Sequence, residues 1–208
     1  MEYASDVAFT ETVKRIQSER GSRRSYERME RTKGGFANAI TPEVAAFIAE
    51  RDSMYIATAN AAGQPYVQHR GGPRGFLKVI DPRTLAFADF VGNRQYITTG
   101  NLAENDRAFL FLMNYADAER IKIWGRARVV TNDGALFKQL ADPSHGARVE
   151  QALVFDVSAW DANCPQHIPR LVDPESAERT VAALRERNVY LEAMLRAADV
   201  PFAPASSA

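Results

Sequence analysis

Apolar residues in this chain come in short runs separated by turn-forming residues. SMYIATAN (53–60) ends in a turn at AAGQP, and PYVQHRG (65–71) starts again. GFLKVI (75–80), TLAFADF (84–90), RAFLFLM (107–113), RIKIWGRARVV (120–130) and ALVFDV (152–157) continue the series. Short runs with turn signals at intervals of about ten residues predict an antiparallel barrel or sandwich. The stretch 120–130 alternates. Ile121, Ile123, Gly125, Ala127 and Val129 share one face, and Lys122, Trp124, Arg126 and Arg128 share the other. The first face is predicted core; the second presents an aromatic ring and three cations.

Helical patterns interrupt the strands. Thr41 caps a predicted helix over 41–51 with Pro42 at its first position and Val44, Phe47 and Ile48 as its apolar stripe. Residues 93–103 are predicted helical with Asn93 as the cap, and 134–140 form another helix behind Asp133. A last helix spans 174–196 after Asp173 and Pro174, with Ala177, Val181, Leu184, Leu191 and Leu195 along one side. The tail from Val200 is expected to fray. Residues 4–34 are polar and Arg-rich, and read equally as a helix followed by an extended arm or as a solvated charged tail. The class is mainly β (α+β): a six- to seven-stranded antiparallel barrel with peripheral helices.

Composition narrows this picture. The 208 residues suffice for one core, and the single cysteine, Cys164, excludes a disulfide scaffold and a multi-cysteine metal site. No apolar run approaches a membrane span of about 18 residues. The acidic N-terminus lacks a signal-peptide core, so a cytoplasmic protein is expected. The 26 basic and 26 acidic residues cancel, which speaks against nucleic acid as a partner. Residues 65–130 nonetheless carry ten Lys/Arg against six Asp/Glu, an excess that suits an anionic small molecule.

Three segments carry candidate chemistry. In FADFVGNRQYITTGNL (87–102) a strand gives way to a turn at Gly92 and then to Asn93, Arg94 and Gln95. A helix N-terminus with an arginine beside it binds anions, although an ordinary strand-to-helix turn with a surface arginine fits the local pattern better. In YVQHRGGPRGF (66–76), Gln68 and Arg70 point the same way, and Gly71 and Gly72 open the backbone to a flat ring or simply form a bulge. His69 points oppositely and reads as structural. WDANCPQHIPR (160–170) offers Trp160, Asn163, Gln166, His167 and Arg170 to a pocket or interface, with Cys164 read as a quiet buried thiol. No GxSxG, HExxH, P-loop or GxGxxG stretch occurs, and no metal site is expected.

Taken in order, PYVQHRGG, FADFVGNRQ, NDRAFLFL and RIKIWGRARVV resemble the pyridoxamine 5'-phosphate oxidase-like family, the FMN-binding split barrels, from about Arg51 to Val130. Within it the chain is most similar to an uncharacterised branch with an N-terminal arm and an NCPQHI motif. The resemblance implies that Gln68, His69, Arg70 and Gly71 run beside the flavin, and that Asp89 and Phe90 line its ribityl chain and ring. It places Asn93, Arg94 and Gln95 where the oxidase grips phosphate with Ser-Arg-Lys. Gln95 supplies no charge there, and Arg70 is the expected compensation. FMN would lie at a two-fold dimer interface, making Trp124, Gln166, His167 and Arg170 contacts from either subunit. Trp160 and Arg170 keep the spacing of the oxidase's C-terminal Trp and flavin-contacting Arg. The oxidase's Arg-x-His substrate pair is replaced by Gln166 and Ile168, and its substrate lysine by Pro73, so pyridoxamine phosphate is not the expected substrate.

The resulting expectation is a homodimeric, FMN-dependent oxidoreductase acting on an unidentified small molecule, with no catalytic acid or base assigned. A non-catalytic storage or sensor protein for FMN, haem or F420 is the competing class. Three segments are expected: an N-terminal helix and arm (1–40), the split barrel (41–160), and a C-terminal pocket segment with a helix packed on the barrel (161–208).

Overall fold

The computed structural model describes residues 2–142, 145–162, 165–172 and 174–202. Asn163, Cys164 and Asp173, predicted to open the last helix, lie outside the described residues. Seven antiparallel strands form one sheet: β1 (Ser53–Ala59), β2 (Pro65–Gly71), β3 (Lys78–Asp81), β4 (Thr84–Phe90), β5 (Arg107–Asn114), β6 (Glu119–Val130) and β7 (Val149–Ala162), in the order β2-β1-β5-β6-β7-β4-β3. The helices are α1 (Glu11–Glu19), α2 (Arg23–Lys33), α3 (Pro42–Ala49), α4 (Ile97–Glu104), α5 (Gly134–Leu140) and α6 (Pro174–Ala197). The α+β antiparallel class predicted from the strand pattern, and the split barrel that the resemblance implied, are observed.

The alternation explains the packing. Leu85 and Phe87 of β4, Ile121 and Ile123 of β6, and Leu153, Phe155 and Val157 of β7 point into the main core with Ile56, Leu110 and Leu112. The opposite face of β4 and β7 buries Ala86, Ala88, Ala152 and Val154 under Leu136, Phe137 and Leu140 of α5. Two predicted caps hold. The Thr41 hydroxyl accepts from Val44 N–H, and the Asp133 carboxylate accepts from Ala135 and Leu136 N–H.

Three elements differ from the prediction. The N-terminal stretch is neither helix-plus-arm nor tail. A 3-10 turn at Ala4–Val7 is followed by two helices, α1 and α2, with Gly21 at φ +78° between them. Residues 36–40 then strap across the barrel, with a single bridge from Ala37 to Trp160. Trp160 N–H donates to Ala37 O at 2.7 Å, Trp160 Nε1–H donates to Ala39 O at 2.8 Å, and Ile40 N–H reaches Pro82 O at 2.7 Å. The strand predicted at 75–80 starts only at Lys78, because Gly75 turns the chain at φ +72° beside Ala49 O. The helix predicted at 93–103 begins at Ile97, and Asn93 does not cap it. Arg94 (φ 60°) and Tyr96 (φ 53°) are both left-handed, so no helix can run through them.

The chain forms two units, Met1–Asn114 with Glu119–Gln166, and Tyr115–Ala118 with His167–Ala208. The second consists mainly of α6 and the segment before it, where Leu171 N–H donates to Tyr115 O at 3.2 Å. Among the described residues no helix is long and apolar enough to cross a membrane.

Candidate functional site

A cleft of about 270 Å³ opens in the first unit where the end of β4 meets α4. By its register with Met54, Ile56 and Thr58 of β1, the β2 set Arg70, Gln68 and Tyr66 faces the same side as the core. These three side chains line one wall. Asp89 and Phe90 from the end of β4, the Gly92–Tyr96 loop, and Ile97, Thr98 and Thr99 at the start of α4 line the other walls, with Glu150 of β7 beside them.

Arg70 and Asp89 form an ion pair in which 18% and 8% of the side chains remain exposed. The other Asp89 oxygen accepts from Gln151 Nε2 at 2.8 Å, and the same nitrogen lies 3.0 Å from Thr99 Oγ1. Both carboxylate oxygens are thus held by the protein. Thr98 Oγ1 donates to Gln68 Oε1 at 2.8 Å, and Asn101 Nδ2 donates to Thr58 Oγ1 at 3.0 Å, pinning α4 to β2 and β1. At the mouth the Tyr96 hydroxyl donates to Glu150 Oε1 at 2.7 Å, and this hydrogen bond raises the phenol above its ordinary pKa.

The donors left over fit an anion. Among the described residues no side chain caps α4, so its first N–H groups remain available on the cleft wall. Arg94 makes no ion pair among the described residues and lies in the cleft lining, on a loop where Asn93 Oδ1 accepts from Gln95 N–H at 3.3 Å. Among the described residues Arg70 Nε–H is buried without a partner, although the terminal Nη1 is bound to Asp89.

The cleft brings together Gln68, Arg70, Asp89, Phe90, Asn93, Arg94 and Gln95 of the residues expected at a cofactor site. His69 lies on the other face of β2, edge-on to Tyr55 with ring centres 5.7 Å apart. A side chain at Gly71 would meet Asp52 O and the His69 ring, and one at Gly72 would meet the Phe76 ring. Trp124 stacks on Phe36 of the strap at 5.4 Å and packs edge-on to Phe109. The cations beside it are paired: Lys122 with Asp161 (3.0 Å), Arg126 with Asp106 (2.5 Å) and Arg128 with Asp156 (2.7 Å). Gln166 is exposed and lies outside the cleft lining, and His167 and Arg170, which belong to the second unit, are exposed. Tyr66, Tyr96, Thr99, Glu150 and Gln151 were not singled out from sequence. Tyr66, Tyr96 and Thr99 sit inside segments that had drawn notice, whereas Glu150 and Gln151 do not. Among the described residues no cluster of His, Cys, Asp and Glu is placed to hold a metal ion.

A seven-stranded antiparallel split barrel with its cleft between the end of a strand and the start of a helix defines the class of the protein. Residues 40–164, more than half of the chain, match the family described as pyridoxamine 5'-phosphate oxidase, and the chain belongs to that family. HupZ from Group A Streptococcus is similar to this chain at 18% identity, over 64% of this chain and 99% of that one, with a TM-score of 0.49. An FMN-binding protein from Syntrophomonas wolfei is similar at 15% identity, over 72% and 97%, with a TM-score of 0.49. HutZ, the haem storage protein of Vibrio cholerae, is similar at 17% identity, over 57% and 90%, with a TM-score of 0.39. No curated protein matches the sequence.

Proposed function

We propose that this protein is an FMN-binding flavoprotein, an oxidoreductase that uses the cleft to hold the phosphate end of the flavin. The observation that carries the reading is the convergence of an uncapped helix N-terminus, the unpaired Arg94 and the partnerless Arg70 Nε–H on one cleft. Arg94 would supply the charge, and the α4 N–H groups with Asn93 and Gln95 the neutral donors. Phe90 and Tyr66, on different walls of the cleft, offer flat surfaces. Bound FMN supplies hydride or electron transfer to or from a small molecule; the chain's own residues bind and orient it. The proposal includes a homodimer with the cofactor at its interface, to which Trp124, Gln166, His167 and Arg170 would contribute. A monomer in sedimentation at micromolar concentration would remove that part.

The test is an absorption spectrum of the purified protein, followed by titration with FMN and with riboflavin, and then reduction by NADH or NADPH. Saturable FMN binding that is at least about tenfold tighter than riboflavin binding is expected from a charge-assisted phosphate contact. A protein that ignores FMN overturns the reading. A second reading, cofactor storage or sensing without turnover, draws on His145, whose ring lies 4.8 Å from that of the cleft residue Phe90. An imidazole there is a potential ligand for haem iron. A haem spectrum, or bound FMN or F420 that no donor reduces, would favour it.

A further inference from the structure

We infer that α6 is a dimerisation helix, built to pair in parallel and in register with α6 of a second copy of this chain. The helix runs 24 residues and buries none of them. Val181, Leu184 and Leu191 are 45%, 58% and 40% exposed. That is unusual for aliphatic residues that share one helix face, and it marks a surface awaiting a partner.

The spacing says which partner. Ala177, Val181, Leu184, Asn188, Leu191 and Leu195 follow one another at alternating steps of four and three residues. This is the 3.5-residue repeat of a two-stranded coiled coil, with Leu184 and Leu191 at one core position and Val181, Asn188 and Leu195 at the other. The β-branched Val181 at the second position with leucines at the first is the arrangement that favours two parallel strands. Asn188 is the informative exception. A single asparagine in such a seam is costly unless its amide meets the partner's Asn188, which happens only when the helices are parallel and unshifted. In an antiparallel pair it would face the partner's Leu184 or the partner's Leu191 instead.

The flanks agree. Arg187 and Glu192 sit on either side of the seam, five residues apart, the separation at which flanking charges meet between parallel helices. Arg187 would then reach the partner's Glu192, and the reverse, around the two-fold axis. Within its own helix Glu192 already accepts from Arg196 at 3.1 Å, so the partner's arginine would complete a three-residue charge cluster. This contact is independent of the flavin cleft and uses none of its residues.

Sedimentation cannot separate a helix contact from one made by the barrel, so the readout must be position-specific. In a Cys164→Ser background, Leu184→Cys and Leu195→Cys place a thiol near each end of the seam, and Glu186→Cys places one on the outward face. Mild oxidation at micromolar concentration should link both seam variants into dimers at least about tenfold more fully than Glu186→Cys, because only facing residues meet disulfide geometry. The full chain is used, with or without FMN, and the outcome should not depend on the flavin. Equal yields at all three positions, or linkage at only one end of the seam, would overturn the parallel pairing.

Discussion

Arg70 and Asp89 belong to strands at opposite ends of the sheet order, yet they meet in an ion pair at the base of the cleft. β2 is one edge strand and β4 lies next to the other edge. Their contact shows that the sheet curls until its two ends face each other. The seam between them is the cleft, and α4 plugs it through Thr98, Asn101 and Leu102. Closure of the barrel and construction of the site are therefore one event.

Removing one partner of this pair should destabilise the fold more than removing both. Asp89→Leu leaves the guanidinium of Arg70 buried without its counter-charge and frees Gln151 as well, an expected loss of about 2–4 kcal/mol. Arg70→Met combined with Asp89→Leu exchanges the pair for apolar contacts and should recover at least half of that loss. Urea unfolding of both variants checks it. Equal losses would mean that the pair contributes only to the site.

Arg94 is expected to matter for the ligand and not for the fold. Its side chain is exposed and holds no ion pair among the described residues. Arg94→Ala should weaken FMN by about tenfold to a hundredfold, or ~1.5–3 kcal/mol, as fits a charge-assisted contact. Riboflavin, which lacks the phosphate, should bind the variant and the parent equally. Calorimetric titration with both ligands is the measurement, and a parallel loss for riboflavin would place the arginine elsewhere on the flavin.

Gly125 is a position where no side chain fits. A Cβ there would stand 2.2 Å from Asp156 O and 2.5 Å from the Phe155 ring, beside the bulge at which β6 shifts register against β7. Backbone on one side and a fully buried ring on the other leave no route for relaxation. Gly125→Ala is expected to cost at least about 3 kcal/mol and to appear first as lost soluble protein or a lower unfolding midpoint.

These residues also show where the sequence was legible. The β4 boundaries, the Thr41 and Asp133 caps and the core face of β6 followed from alternation and capping chemistry, which act over a few residues. Gly125 was correctly placed on that core face, but its contact with β7 was invisible because Asp156 is distant in sequence. The loop before α4 was misread for a different reason. Left-handed backbone at Arg94 and Tyr96 has no marker when the residues are not glycine or asparagine, so Asn93 looked like a cap. Likewise Glu150 and Gln151 lay outside the apolar run 152–157, and nothing local extended β7 back to Val149. α2 read as an arm or a charged tail because, among its charged residues, the one that is buried is Glu30, held by Arg23 and Ser5.

Acid should release the N-terminal segment before the barrel. Lys14 Nζ stands 2.9 Å from Asp6 Oδ1, and the N–H groups of Glu2 and Tyr3 donate to Oδ2 at 2.8 and 3.2 Å. Chiefly through the lysine, and against the effect of burial, these hold the Asp6 carboxyl down at about 2, from an ordinary 3.8. A carboxyl depressed in the folded state stabilises fully above its unfolded value, and that contribution disappears as pH falls through the folded one. The window is therefore about pH 4 down to about pH 2. Lys14 is raised by the same pair, so its part is complete below its ordinary value of 10.5 and fades as pH rises beyond it. The consequence is measurable because the turn holding Asp6 leads to Phe9, which packs on Phe36, which stacks on Trp124. Trp160 contacts the same strap, and these two are the chain's only tryptophans. Intrinsic fluorescence should change with a midpoint inside that window in the parent, and Asp6→Asn should flatten the change. An unaltered acid transition in the variant would show that the strap is held without Asp6.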